Sequence, residues 1–165
     1  MPGQEHRAES RIVTGVDGSP SSLSALRWAV GQAALTGAAV DAVIAWHYPV
    51  IVGGGYGVAP MVTAGGFNFK ENAEKILADA ISSAVDPGSG VTVHARAVEG
   101  NPAQVLLDAS ADADLLVVGS RGHGGFTEAL LGSVSQHCVH HARCPVIVIR
   151  GSEHDWPVDR ATKVD

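Results

Sequence analysis

Short strand-like runs recur along the chain at Arg11 to Asp17, Ala39 to Trp46, Val91 to Val98, Leu115 to Val118 and Pro145 to Arg150, and Leu115 to Val118 is apolar throughout. The stretches between most of them carry apolar residues at helical spacing. In the first, Leu23, Leu26, Val30, Ala33 and Ala34 fall at i, i+3, i+7, i+10 and i+11, which predicts one buried helical face. Ser19 is placed to cap that helix, Pro20 suits its first turn, and Gly37 ends it. A second helix is predicted behind Asn68-Phe-Lys-Glu71, which has the form of a capping box, with Ala73, Ile76, Leu77, Ala80, Ile81 and Ala84 on its inner face. Asp86-Pro-Gly breaks it. Asn101-Pro102-Ala103-Gln104 supplies a cap, a first-turn proline and a capping-box partner for a short helix through Ala109. A last helix is predicted from Ser133 to Ala142.

The order is therefore β-α-β-α-β-α-β-α-β. Unbroken apolar strands such as Leu115 to Val118 suit a parallel sheet covered on both faces, so the expected fold class is α/β, a five-stranded, doubly wound open sheet. Ligands in such sheets sit at the carboxyl ends of the strands, where the winding reverses. One domain over residues 11–150 is expected, with residues 1–10 and 151–165 as flexible termini. Residues 48–67 carry Pro49, Pro60 and six glycines without a steady period, and read as a mobile lid or surface loop.

Charge changes the picture by exclusion. A formal net charge of −6, with basic residues scattered along the chain, leaves no electrostatic footprint for a nucleic-acid backbone. The polar start and the lack of a long apolar run give no sign of a signal peptide or membrane span, so a cytoplasmic location is expected. Cys138 and Cys144 read as reduced thiols.

Candidate chemistry gathers after the fourth predicted strand, where Gly119-Ser-Arg-Gly-His leads through a glycine-rich stretch to Gly132-Ser133 and a helix. Unpaired N–H groups and the dipole at a helix N-terminus favour an anion, and glycines let backbone amides approach phosphate oxygens. Gly119, Gly122 and Gly132 are the close-approach candidates, with Ser133 and Ser135 as hydroxyl donors. The competing reading makes these glycines a flexible connection, and Ser133 with Gln136 only a capping box. The loop is not a Walker A sequence, and no Gly-x-Gly-x-x-Gly follows the first strand. No serine, histidine and carboxylate stand in a recognisable nucleophile context. His137 and His141 are at i and i+4, near His140, Cys138 and Cys144; the helix dipole accounts for histidines there, and no metal is expected.

Gly119-x-x-Gly122, nine residues, then Gly132-Ser133 resembles the glycine pattern of the universal stress protein family, in its nucleotide-binding branch. Ile12-Val-Thr-Gly-Val-Asp-Gly-Ser19 and Cys144-Pro-Val-Ile-Val-Ile149 resemble that family's first and last strands. The resemblance implies a Rossmann-like sheet in the order 3-2-1-4-5. It also implies that Asp17 meets a ribose, that the main chain of Ala45 meets an adenine, and that Gly15, Val16 and Val118 flank them. Gly119, Arg121, Gly122, Gly132, Ser133, Val134 and Ser135 would surround phosphates and ribose. The implied protein is a stress-response binding module for ATP with Mg2+, not an efficient enzyme; cyclic AMP as ligand and slow ATP hydrolysis are the alternatives. A homodimer joined through Pro145 to Arg150 is expected, because that apolar strand would stand unprotected at a sheet edge.

Overall fold

The computed structural model describes residues 9–51, 59–60, 66–121 and 131–151. Five strands, β1 (Arg11–Gly15), β2 (Ala39–Trp46), β5 (Val93–Glu99), β6 (Leu115–Gly119) and β7 (Val146–Ile149), form one parallel sheet in the order β5-β2-β1-β6-β7. This is the 3-2-1-4-5 order of the predicted strands. Within residues 48–67, read above as loop, β3 (Val50–Ile51) pairs antiparallel with β4 (Ala59–Pro60); the remainder of that expectation lies mostly outside the described residues.

Alternation along each strand feeds two cores. Ile12, Val40, Ala42, Ile44 and Val117 face α1 (Pro20–Thr36) and α2 (Phe69–Ala84). Val13, Val43, Leu116 and Val118 face the side of α3 (Pro102–Ala109) and α4 (Ser133–His141). With a helix pair on each face, the middle positions of β1, β2 and β6 are buried, which is why Leu115 to Val118 reads as apolar throughout.

Three helices start as their local sequence dictates. The side chains of Ser19, Asn68 and Asn101 accept the N–H groups of Ser22, Glu71, and Ala103 with Gln104 respectively. Gln104 turns its amide nitrogen to the Asp108 carboxylate at 2.7 Å, an i,i+4 bond along the exposed side of α3. α4 differs from the capping box considered above: its N-cap is Gly132, without a side-chain cap, and Ser133 is already its first helical residue. The buried face of α1 is also displaced from the expected stripe. Ala25, Leu26, Ala29, Val30 and Ala33 are buried, while Leu23 is half-buried and Ala34 exposed. Small residues on the inner face bring α1 close to the sheet.

One charge sits inside this frame. Asp41, on β2, is buried, and its carboxylate is 3.0 Å from His94 Nδ1, 3.5 Å from Arg11 Nε and 4.0 Å from an Arg96 guanidinium nitrogen. Three cationic or potentially cationic groups from the two neighbouring strands compensate the burial of the carboxylate.

Leu26→Ala, which would open a cavity under a side chain with no exposed surface, is expected to lower unfolding free energy by about 2–5 kcal/mol. Leu35→Ala, at a position 83% exposed, should stay within about 0.5 kcal/mol of wild type. Urea denaturation of both variants checks the contrast.

Candidate functional site

The carboxyl ends of β1, β2 and β6 converge on one end of the sheet, and the turn after β1 is built to hold a carboxylate there. Val16 N–H donates to the Val43 carbonyl at 2.8 Å, so the chain keeps the path of β1 for one residue beyond its end. It then turns sharply. Asp17 N–H donates to Ser22 Oγ at 3.2 Å, and Asp17 Oδ1 accepts Ser19 N–H at 2.9 Å. Ser22 Oγ in turn donates to the Ser19 carbonyl at 3.0 Å, which ties this turn to the first turn of α1. Asp17 is half-buried and fixed by its neighbours at the mouth of the central strands.

On the other side of the switch in winding, β6 runs into Ser120 and Arg121. Gly119 has a packing role: a Cβ there would lie 2.7 Å from the Ser21 carbonyl carbon and 2.9 Å from its oxygen. Gly151 approaches the same residue, its missing Cβ pointing 2.8 Å from Ser21 Cα. Ser21 Oγ accepts Arg121 N–H at 3.3 Å and donates to the Ile149 carbonyl at 3.4 Å. Thus the N-terminus of α1 is pressed against the ends of both β6 and β7. Ser21 and Ser22 escaped the sequence reading, although the run Ser19-Pro-Ser-Ser behind Asp17 was the available signal.

The chain returns at Gly132. Its N–H donates to the Ser120 carbonyl at 2.8 Å, and the Ser135 hydroxyl lies 3.3 Å from that same carbonyl and 3.3 Å from the Gly132 carbonyl. Ser135 is buried, so its hydroxyl serves this closure; Ser133 is exposed and Val134 half-buried. In a helix the first N–H groups have no intrahelical acceptor, and a glycine cap supplies no side-chain oxygen for them. The N–H groups of the first turn of α4 and the positive end of its dipole are therefore placed to receive an anion.

The expected site residues divide by what they can offer. Val16 and Val118 are buried core side chains, so only their main chain is available, and Gly15 lies under Leu106, 2.8 Å from a Cβ built on it. Ala45 is half-buried against the α3 side of the sheet and can likewise act through its main chain. Arg121 is exposed. Gly122 lies outside the described residues. Among the described residues, no group of three or more His, Cys, Asp or Glu side chains could hold a metal ion. Burial, with the neighbouring Cys144 thiol adding to it, pushes the Cys138 thiol up to about 11, which keeps it neutral and unreactive. No helix among the described residues is long and apolar enough to cross a membrane.

A doubly wound α/β domain with a fixed carboxylate and an uncapped helix N-terminus across its switch point belongs to the class that takes small ligands at strand ends. Residues 9–150 match the universal stress protein family, and the chain belongs to that family. Universal stress protein Rv2005c of Mycobacterium tuberculosis is 36% identical over 155 residues, 92% of this chain and 48% of that protein. Universal stress protein Rv1996 of the same organism is 37% identical over 145 residues, 84% and 43% of the two chains. The chain thus spans about half the length of these relatives. Among solved structures, a universal stress protein in complex with cAMP is 28% identical, with a TM-score of 0.63 over 87% of this chain and 98% of that one. The Archaeoglobus fulgidus universal stress protein in complex with dAMP shares the fold at a TM-score of 0.55 and 22% identity, covering 85% and 97% of the two chains.

Gly119→Ala is expected to destabilise the protein by about 1–3 kcal/mol, because the added methyl meets the backbone of Ser21, which has no rotamer to yield. Chemical denaturation of the ligand-free protein reads this packing role directly, since no ligand is involved.

Proposed function

We propose that the chain is a binding module for an adenine nucleotide, ATP with Mg2+, and acts by presenting its occupied and empty states to a partner. The observation that carries this reading is the pairing of the uncapped α4 N-terminus with the fixed Asp17 carboxylate at one end of the sheet. The first suits phosphate oxygens; the second is an acceptor for ribose hydroxyls. Gly119, Arg121, Gly122, Gly132, Ser133, Val134 and Ser135 would frame the phosphates, and the main chain of Ala45, with Gly15, Val16 and Val118, the nucleoside. Mg2+ would be held by phosphate oxygens and water, the ligands a hard cation prefers. The glycine spacing and membership of the universal stress protein family support the same ligand class.

A second reading, cyclic AMP as the ligand, is favoured by the relative solved in complex with cAMP. An anion site at a helix end accommodates one phosphodiester as well as a phosphate chain, so ligand recovery decides between the two. Gentle purification followed by denaturation should release ATP. Recovered cyclic AMP would replace that assignment, and ADP with continuing phosphate release would make the protein a slow ATPase.

In a thermal-shift series over ATP, ADP, AMP and cyclic AMP, the preferred ligand should raise the melting temperature, a hundredfold excess over Kd adding about 2.7 kcal/mol. Asp17→Asn keeps an oxygen for Ser19 N–H while removing the charge, and is expected to weaken binding about tenfold or more, as loss of a charged hydrogen-bond acceptor does. Gly122→Val should abolish it. No response to any of the four ligands, or wild-type affinity in both variants, would place the ligand elsewhere.

The dimer belongs to the same proposal. β7 is an edge of the sheet and its four apolar residues are only half-buried. Pairing with a second copy through Pro145 to Arg150 would close that edge about a two-fold axis. Light scattering is expected to give a dimer both for the intact chain and for one ending at Gly151; an intact monomer that associates only after truncation would show that the tail covers the strand instead.

A further inference from the structure

The far end of α4 carries chemistry that a nucleotide site at its beginning does not use. His137 and His141, one helical turn apart, have ring centroids 4.4 Å from each other with planes inclined by 42°. The His140 ring is 6.4 Å from that of His141. All three side chains are exposed. Among the described residues, ring contacts within this group are the interactions these imidazoles make, with no carboxylate paired to them.

Favourable charge at the helix C-terminus explains one protonated histidine there, yet it does not explain a close pair. Residues at i and i+4 lie on one face of a helix, so the two rings stand side by side. Neutral rings bring unshared nitrogen lone pairs to one side of the helix. Imidazole nitrogens select borderline divalent ions of the late first transition row over Mg2+ and Ca2+, which require oxygen. The negative end of the helix dipole adds to the attraction for any cation.

We propose that His137 and His141 together form a labile, two-imidazole site for a divalent transition-metal ion, of the class Cu2+, Ni2+ or Zn2+, with solvent in the remaining coordination positions. This revises the expectation of no metal, and it is consistent with the absence of a cluster of three or more ligands among the described residues. Two ligands make an exchangeable site; a closed structural zinc site needs four. Binding would bridge adjacent turns and hold the last turn of α4 together.

The test uses the full chain, without an affinity tag, stripped of metal by a chelator and titrated calorimetrically with NiCl2 and, separately, MgCl2. One Ni2+ per chain is expected to bind, and Mg2+ is expected to give no saturable heat. His137→Gln and His141→Gln should each weaken Ni2+ binding about tenfold or more, as loss of one of two protein ligands requires, and His140→Gln less than about threefold. Far-UV circular dichroism establishes that each variant, altered at an exposed position, keeps its helices. Absence of saturable Ni2+ binding, wild-type affinity in either single variant of the pair, or an equal loss in His140→Gln would overturn the assignment. No nucleotide is present in the experiment, so its outcome is independent of the reading at the other end of the helix.

Discussion

The approach of Ser21 to the ends of β6 and β7 is the contact on which the functional end of the molecule depends. Residues 119 and 151 both lack the Cβ that would collide with it, and its hydroxyl bridges Arg121 and Ile149. The Ile149 carbonyl also accepts Ser120 N–H at 2.8 Å, so α1, β6 and β7 meet at one hydrogen-bonded junction. Asp17 stands only four residues before Ser21, and Ser120 begins the segment that returns at Gly132. Fixing the junction therefore fixes the distance between the acidic turn and the start of α4. Helix, strand and turn act as one rigid mount, and rigidity of that kind is what lets a few polar groups select a ligand.

Local rules made most of the architecture legible from the sequence. The caps at Ser19, Asn68 and Asn101 involve residues two or three positions apart, and each formed as the local sequence directs. The sheet order required the family resemblance, since strand neighbours are not written in periodicity. What escaped was non-local. Asp41 sits in an apolar run, and its tolerance there depends on His94, 53 residues away, and on Arg11 and Arg96 across the sheet. The stripe on α1 was misplaced at Leu23, which is half-buried, and Ala34, which is exposed, and it passed over Ala25 and Ala29, which are small enough to meet the sheet.

Where the candidate site residues lie in the fold was legible in the sequence more than what each of them does there. Spacing of glycines located the segment between β6 and α4, yet Gly119 also answers to a packing demand from α1 that no local pattern displays. Ser135 was read as a hydroxyl donor to a ligand, and its buried hydroxyl lies 3.3 Å from the Ser120 carbonyl. Such double duty limits how far a motif can be translated into ligand contacts residue by residue. A glycine needed by a neighbouring helix and a glycine needed by a phosphate look alike in sequence.

The bond from Gly132 N–H to the Ser120 carbonyl has a consequence for how such a domain can diversify. It acts as a hinge pin, joining the two ends of the intervening segment whatever lies between them. The entropy of closing a loop grows only with the logarithm of its length, about 0.6 kcal/mol per doubling. Sequence change between positions 120 and 132 leaves both partners of this bond in place, so the described mount can keep its fold while the chemistry encoded there drifts.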